Sequence, residues 1–173
     1  MQFMETPSRG PSRPKAEENG SLLKRADFIG VDEDAELYPH RTYYFRQAFE
    51  ADKVIDVCSK ELVADPTNVQ AAFLRGSMYY KNKQYEEAMQ DLTNLLNMDP
   101  YHVEGRYTRA MTLSNTNKHE DAIADLSKVI KYDPEHVNGI FARAACYNAL
   151  GMFTESIEDY NNALALDEAQ KHT

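Results

Sequence analysis

With 173 residues, 42% of them hydrophobic and 27% charged, the chain is long and apolar enough for one packed domain. A formal net charge of −9 disfavours nucleic acid as a partner, since an acidic surface gains nothing from releasing phosphate counterions. No apolar run approaches the roughly 18 residues of a membrane span, and the opening MQFMETPSRGPSRPK lacks the apolar core of a secretory signal, so no membrane partner is expected and the expected compartment is cytoplasm or nucleus.

The first predicted element is a disordered tail over residues 1–36. Its opening is rich in Pro, Ser, Arg, Glu and Gly and offers too little apolar surface to offset the entropy of ordering. From 37 onward the texture is helical and periodic. Asp65-Pro66, Asp99-Pro100 and Asp133-Pro134 stand 34 residues apart, and Asp167 follows 34 later with Glu168 in place of Pro. Arg41, Arg75, Arg109 and Arg143 keep the same spacing, as do Phe73, Tyr107 and Phe141, and Asp91, Asp125 and Asp159. A fixed period of this length means an array of one supersecondary unit.

Within each period two helical segments are predicted. In TNVQAAFLRGSMYYKNK, the residues Val69, Ala72, Phe73, Gly76, Tyr79 and Tyr80 follow helical spacing. In QYEEAMQDLTNLLNMDP, Tyr85, Ala88, Leu92, Leu95 and Leu96 do the same, and KNKQ supplies a polar turn between them. The Asp-Pro pair ends the second helix, because the residue before Pro is pushed out of the helical region. Each unit is a helix hairpin that buries its outer face only against the next. The expected fold is therefore an all-α solenoid of about four hairpins: a degenerate unit over 37–66, then 67–100, 101–134 and 135–168, in an array running to 173.

These residues resemble the tetratricopeptide repeat family, a right-handed solenoid of 34-residue helix hairpins. Gly76, Tyr79, Ala88, Leu92 and Pro100 fill its signature columns in one unit. Ala110, Leu113, Ala122, Leu126 and Pro134 fill them in the next, and Ala144, Tyr147, Ser156, Tyr160 and Ala163 in the third. In 37–66 the residues Phe45, Val54, Cys58 and Pro66 fit, while Pro39 and Thr42 depart. The resemblance implies a non-enzymatic scaffold or adaptor without cofactors, whose partner is an extended peptide or helix of another protein. It implies that the first helix of each unit lines a concave groove, here Tyr43, Gln70, Phe73, Ser77, Tyr80, Glu104, Tyr107, Met111, Asn138, Phe141 and Asn148. Chaperone-binding members clamp a C-terminal carboxylate with Lys, Asn and Arg. The matching places here hold Phe73, Ser77, Thr108, Asn138 and Ala142, so that clamp is not expected. The Asn ladder of glycosyltransferase-type arrays is missing too, with Leu74, Thr108 and Ala142 in its column.

The Arg and Asp columns explain each other. Arg75 with Asp91, Arg109 with Asp125 and Arg143 with Asp159 lie 16 apart, on opposite helices of one hairpin, where a guanidinium and a carboxylate can form a bidentate tie. His102 and His136 fall in successive turns with no Cys or further His beside them, short of the three or four ligands zinc needs, so no metal site is expected. Cys58 and Cys146 read as buried reduced thiols. The final helix carries Ile157, Tyr160, Ala163, Leu164 and Leu166 with no polar cap after it. That exposed apolar end points to a continuation, a partner or self-association through the C-terminal repeat, and to an alternative role as a stacked subunit of a larger cytoskeletal or ciliary assembly.

Overall fold

The computed structural model describes residues 39–171, with side chains from Glu50 onward. The expected tail, residues 1–36, lies outside the described residues, and so does the side chain of Tyr43. All regular structure among the described residues is helical. In chain order these are α1 (Pro39–Ala64), α2 (Val69–Lys81), α3 (Tyr85–Met98), α4 (Val103–Asn115), α5 (His119–Tyr132), α6 (Val137–Ala149) and α7 (Phe153–Lys171).

Three hairpins, α2–α3, α4–α5 and α6–α7, follow at the expected period, and the second helices α3 and α5 also pack on the first helix of the next hairpin. Successive first helices touch as well, α2 with α4 and α4 with α6, whereas successive second helices lack comparable contact. The first helices thus form the tighter, inner layer of the stack. Its core is a run of small clusters, one being Ala72, Ala88, Leu92 and Leu95, the next Ala110, Leu113, Ala122, Leu126 and Cys146. Cys58 and Cys146 are free and buried.

The degenerate unit departs from the expected hairpin. Residues 39–64 form one unbroken helix of 26 residues. The reason lies in the turn. In the three hairpins the chain reverses through a residue with positive φ, Lys83 at 61°, Asn117 at 61° and Gly151 at 75°. The same column of the degenerate unit holds Phe49, whose bulk disfavours the left-handed region, so the helix runs through. The C-terminal part of α1 then packs on the first hairpin: Leu62 lies against the Leu92 cluster, and Asn82 Nδ2 donates to Asp52 Oδ1 at 3.3 Å.

The Pro column sets the other ends. Helices α3 and α5 each have 14 residues and stop at the residue before Asp99 and Asp133. Helix α7 has Glu168 where Pro would stand and reaches 19 residues. The Asp itself also shapes the turn: the side chains of Asp65, Asp99 and Asp133 accept from the backbone N–H two residues on, at 2.9, 3.1 and 3.2 Å.

Candidate functional site

The inner layer presents the side chains singled out by the sequence. Gln70, Glu104, Asn138 and Asn148 are exposed; Phe73, Ser77, Tyr80, Tyr107, Met111 and Phe141 are half-buried. The aromatic column is engaged by its neighbours. Phe73 meets His102 at 4.9 Å between ring centroids, and Tyr107 meets His136 at 5.0 Å. In the third hairpin no such histidine follows, and Phe141 packs on Tyr160 at 5.8 Å. Each ring therefore keeps one side against the array and offers the remainder outward. Tyr80 accepts from Asn115 Nδ2 at 3.2 Å, bridging α2 and α4. Burial raises the Tyr107 pKa, helped by Tyr80 and Glu104.

The histidines have a role that spacing alone did not suggest. His102 Nδ1 accepts from the Gly105 N–H at 2.9 Å and His136 Nδ1 from the Gly139 N–H at 2.8 Å, so both are N-caps of the helices that follow. The same column in α2 is Asn68, which accepts from the Ala71 N–H at 3.0 Å. The cap dictates the small residue three places on. A Cβ on Gly139 would stand 2.9 Å from His136 Nδ1 and 3.1 Å from Val129 Cγ1, whereas the slimmer Asn68 leaves room for Ala71. The detectable signal was this pairing of His with Gly and Asn with Ala. His136 Nε2 also lies 3.3 Å from Glu104 Oε1, which ties its outer edge to the exposed inner row.

Beneath this row lie the ion pairs. Arg75 Nε and Nη2 donate to Asp91 Oδ2 and Oδ1 at 2.6 and 2.7 Å. Arg109 and Asp125 form the same fork at 2.7 and 2.8 Å, and so do Arg143 and Asp159. The bonded carboxylates push the Arg75 and Arg143 pKa values up, against the opposing effect of partial burial. Arg75 Nη1 reaches back to Ser59 Oγ at 3.1 Å, and Arg143 Nη1 to Ser127 Oγ at 3.2 Å, so these forks also bind the preceding helix.

The middle hairpin is different. Its preceding-helix column holds Thr93, and Arg109 makes no such bond to it. Instead Arg106, 6% exposed, donates from Nη1 to Asp125 Oδ1 at 3.2 Å and from Nη2 to the Pro100 carbonyl at 2.7 Å. Its Nε is buried without a protein partner, as is Ser77 Oγ. Sequence reading passed over Arg106, although it stood out in a column otherwise filled by Ala72 and Ile140.

The profile of the family described as "Anaphase-promoting complex, cyclosome, subunit 3" matches residues 47–129, and that of "Tetratricopeptide repeat" matches residues 107–171; both are tetratricopeptide repeat families. The chain belongs to the tetratricopeptide repeat family. No curated protein sequence gives a significant match. Among solved structures, MamA is similar over 87% of this chain and 89% of its own, at 16% identity and a TM-score of 0.69. The second repeat domain of Spaghetti (RPAP3), solved with the HSP90 peptide SRMEEVD, is similar over 57% of this chain and 91% of its own, at 24% identity and a TM-score of 0.55. Identities this low establish a shared fold. Among the described residues no helix is long and apolar enough to cross a membrane.

Proposed function

We propose that this protein is a non-enzymatic adaptor whose inner layer, α2, α4 and α6, holds an extended peptide or a helix of another protein. The supporting observation is the succession of half-buried rings Phe73, Tyr107 and Phe141 on three adjacent helices, interleaved with the exposed Gln70, Glu104 and Asn138. Rigid aromatic area beside adaptable polar groups is the composition that protein recognition uses. The RPAP3 domain binds its HSP90 peptide on the same fold. Here the clamp columns, Phe73, Ser77, Thr108, Asn138 and Ala142, carry no cation to hold a terminal carboxylate. The ligand is instead a segment with apolar anchors and neutral polar neighbours.

A photo-crosslinking amino acid at Asn138, with one at the exposed outer Gln90 as control, tests this in a cell extract. Adducts confined to position 138 are expected. Adducts from 90 and none from 138 would overturn the reading and move the contacts to the outer layer. The alternative architectural role, stacking through the ends of the array, would show as concentration-dependent self-association.

A further inference from the structure

An imidazole caps a helix in one protonation state only. His102 and His136 accept the Gly105 and Gly139 N–H groups at Nδ1, so each needs its Nδ1 lone pair, and the proton of the neutral ring stands on Nε2. At His136 that Nε2 donates to Glu104 Oε1 at 3.3 Å. A second proton goes onto Nδ1 and faces the N–H that Nδ1 had been accepting. Two donors then oppose each other at the positive end of a helix, and the cap opens. Asn68, the cap in the same column of α2, holds no group that takes up a proton in histidine's range.

The same two rings back the aromatic row. Phe73 lies against His102 and Tyr107 against His136, whereas Phe141 lies against Tyr160. An imidazole that leaves its cap therefore leaves its aromatic neighbour too.

The surroundings do not replace the lost acceptor. Around His136, α4 supplies the Glu104 carboxylate and the Tyr107 phenol, and α5 the apolar Val129 beside Gly139. The turn supplies Asp133, whose carboxylate is taken by the Glu135 N–H, and α7 reaches the turn through the neutral Gln170 amide. Glu104 attracts the cationic ring, but from the Nε2 side and with its own side chain 60% exposed, where solvent screens the attraction. Around His102, α2 supplies Phe73 and α3 supplies Leu95 beside Gly105. Its turn holds Asp99, bonded to the Tyr101 N–H, and the Pro100 carbonyl, bonded to the Arg106 guanidinium.

We propose that His102 and His136 make the inner face acid-sensitive: proton uptake opens both caps, withdraws the rings behind Phe73 and Tyr107, and releases the bound segment. The release, though not the opening of the caps, rests on the peptide-binding reading.

A full-length His102→Asn, His136→Asn variant keeps both caps in a form that does not titrate. The Gly105 and Gly139 amide signals are followed by NMR in both chains between about pH 7.5 and 5.5, where histidine takes up its proton. In parallel, a photo-crosslinking amino acid at the exposed Asn148, at the far end of α6 from His136, reports binding in a cell extract. In the otherwise wild-type chain both glycine signals should move on acidification and adducts should fall about fivefold, the equilibrium worth of one N-cap. In the double variant both readouts should hold. His119 remains in both chains, so the difference belongs to the caps. Wild-type glycine signals that stay fixed, or that move equally in the variant, would overturn the proposal. Glycine signals that move while adducts persist would overturn the control of binding. Absence of adducts at either pH would instead remove the peptide-binding reading, and the glycine signals would still decide the caps.

Discussion

The middle hairpin and its two neighbours share a frame and fill it differently. In the first and third, one arginine joins three helices: it forks onto its aspartate, reaches a serine on the preceding helix, and lies 5.9 Å from the ring of Tyr79 or Tyr147. In the middle one Leu113 replaces the ring and Thr93 the serine, and Arg106 enters to share Asp125. One repeat pattern thus tolerates two solutions to the same requirement. A buried carboxylate must be paired, and its pairing must also fix where the next hairpin sits.

The contrast is broken most severely at Asp125. Asp125→Ala leaves two guanidinium groups without their anion, and should cost about 3–5 kcal/mol of unfolding free energy in a urea titration. Asp91→Ala should sit at or below the low end of that range, because Arg75 retains Ser59. Equal losses would mean that Arg106 adds nothing to the middle site.

A smaller effect is expected at the caps. Gly139→Ala should destabilise by about 1–3 kcal/mol through crowding of His136 and Val129. Adding His136→Asn, which recreates the Asn68–Ala71 arrangement, should recover part of the loss. Strict additivity of the two changes in thermal unfolding would refute the coupling of cap to small residue.

The turns give a gain instead of a loss. Lys83 sits at φ 61° where the third hairpin uses Gly151. Lys83→Gly should therefore stabilise by about 0.5–1 kcal/mol, read as a raised denaturation midpoint. The smallest change is expected at Arg106. Arg106→Ile installs the residue of the third hairpin at that column. It should fall within about 1 kcal/mol of neutral, since Asp125 keeps the Arg109 fork and the buried Nε disappears.

Much of this was legible in the sequence. The 34-residue period gave the all-helical solenoid, and the 16-residue offset of Arg and Asp put the partners on facing helices. Three features were harder to read for physical reasons. Where a hairpin was expected in 37–66, residues 39–64 form a single helix, because a reversal needs a residue that accepts positive φ, and Phe49 is a poor one. The cap role of His102 and His136 was hidden because histidine at a turn carries no strong N-cap signal; its meaning appears only beside Gly105 and Gly139. Arg106 was hidden because its partners, Asp125 and the Pro100 carbonyl, are set by tertiary packing and by no repeated spacing.

The Arg and Asp columns hold the array, and the proposed function assigns recognition to the inner face, where exposed positions differ from unit to unit. The most direct test separates the two in one experiment. A Gln70→Lys, Glu104→Lys, Asn138→Lys variant and an Asp91→Asn variant are compared with wild type for urea midpoint and for the proteins they retain from an extract. The inner variant should keep the midpoint and lose its partners, while Asp91→Asn should lower the midpoint and, where still folded, keep them. An inner variant that retains the same partners would contradict the assignment of recognition to this face.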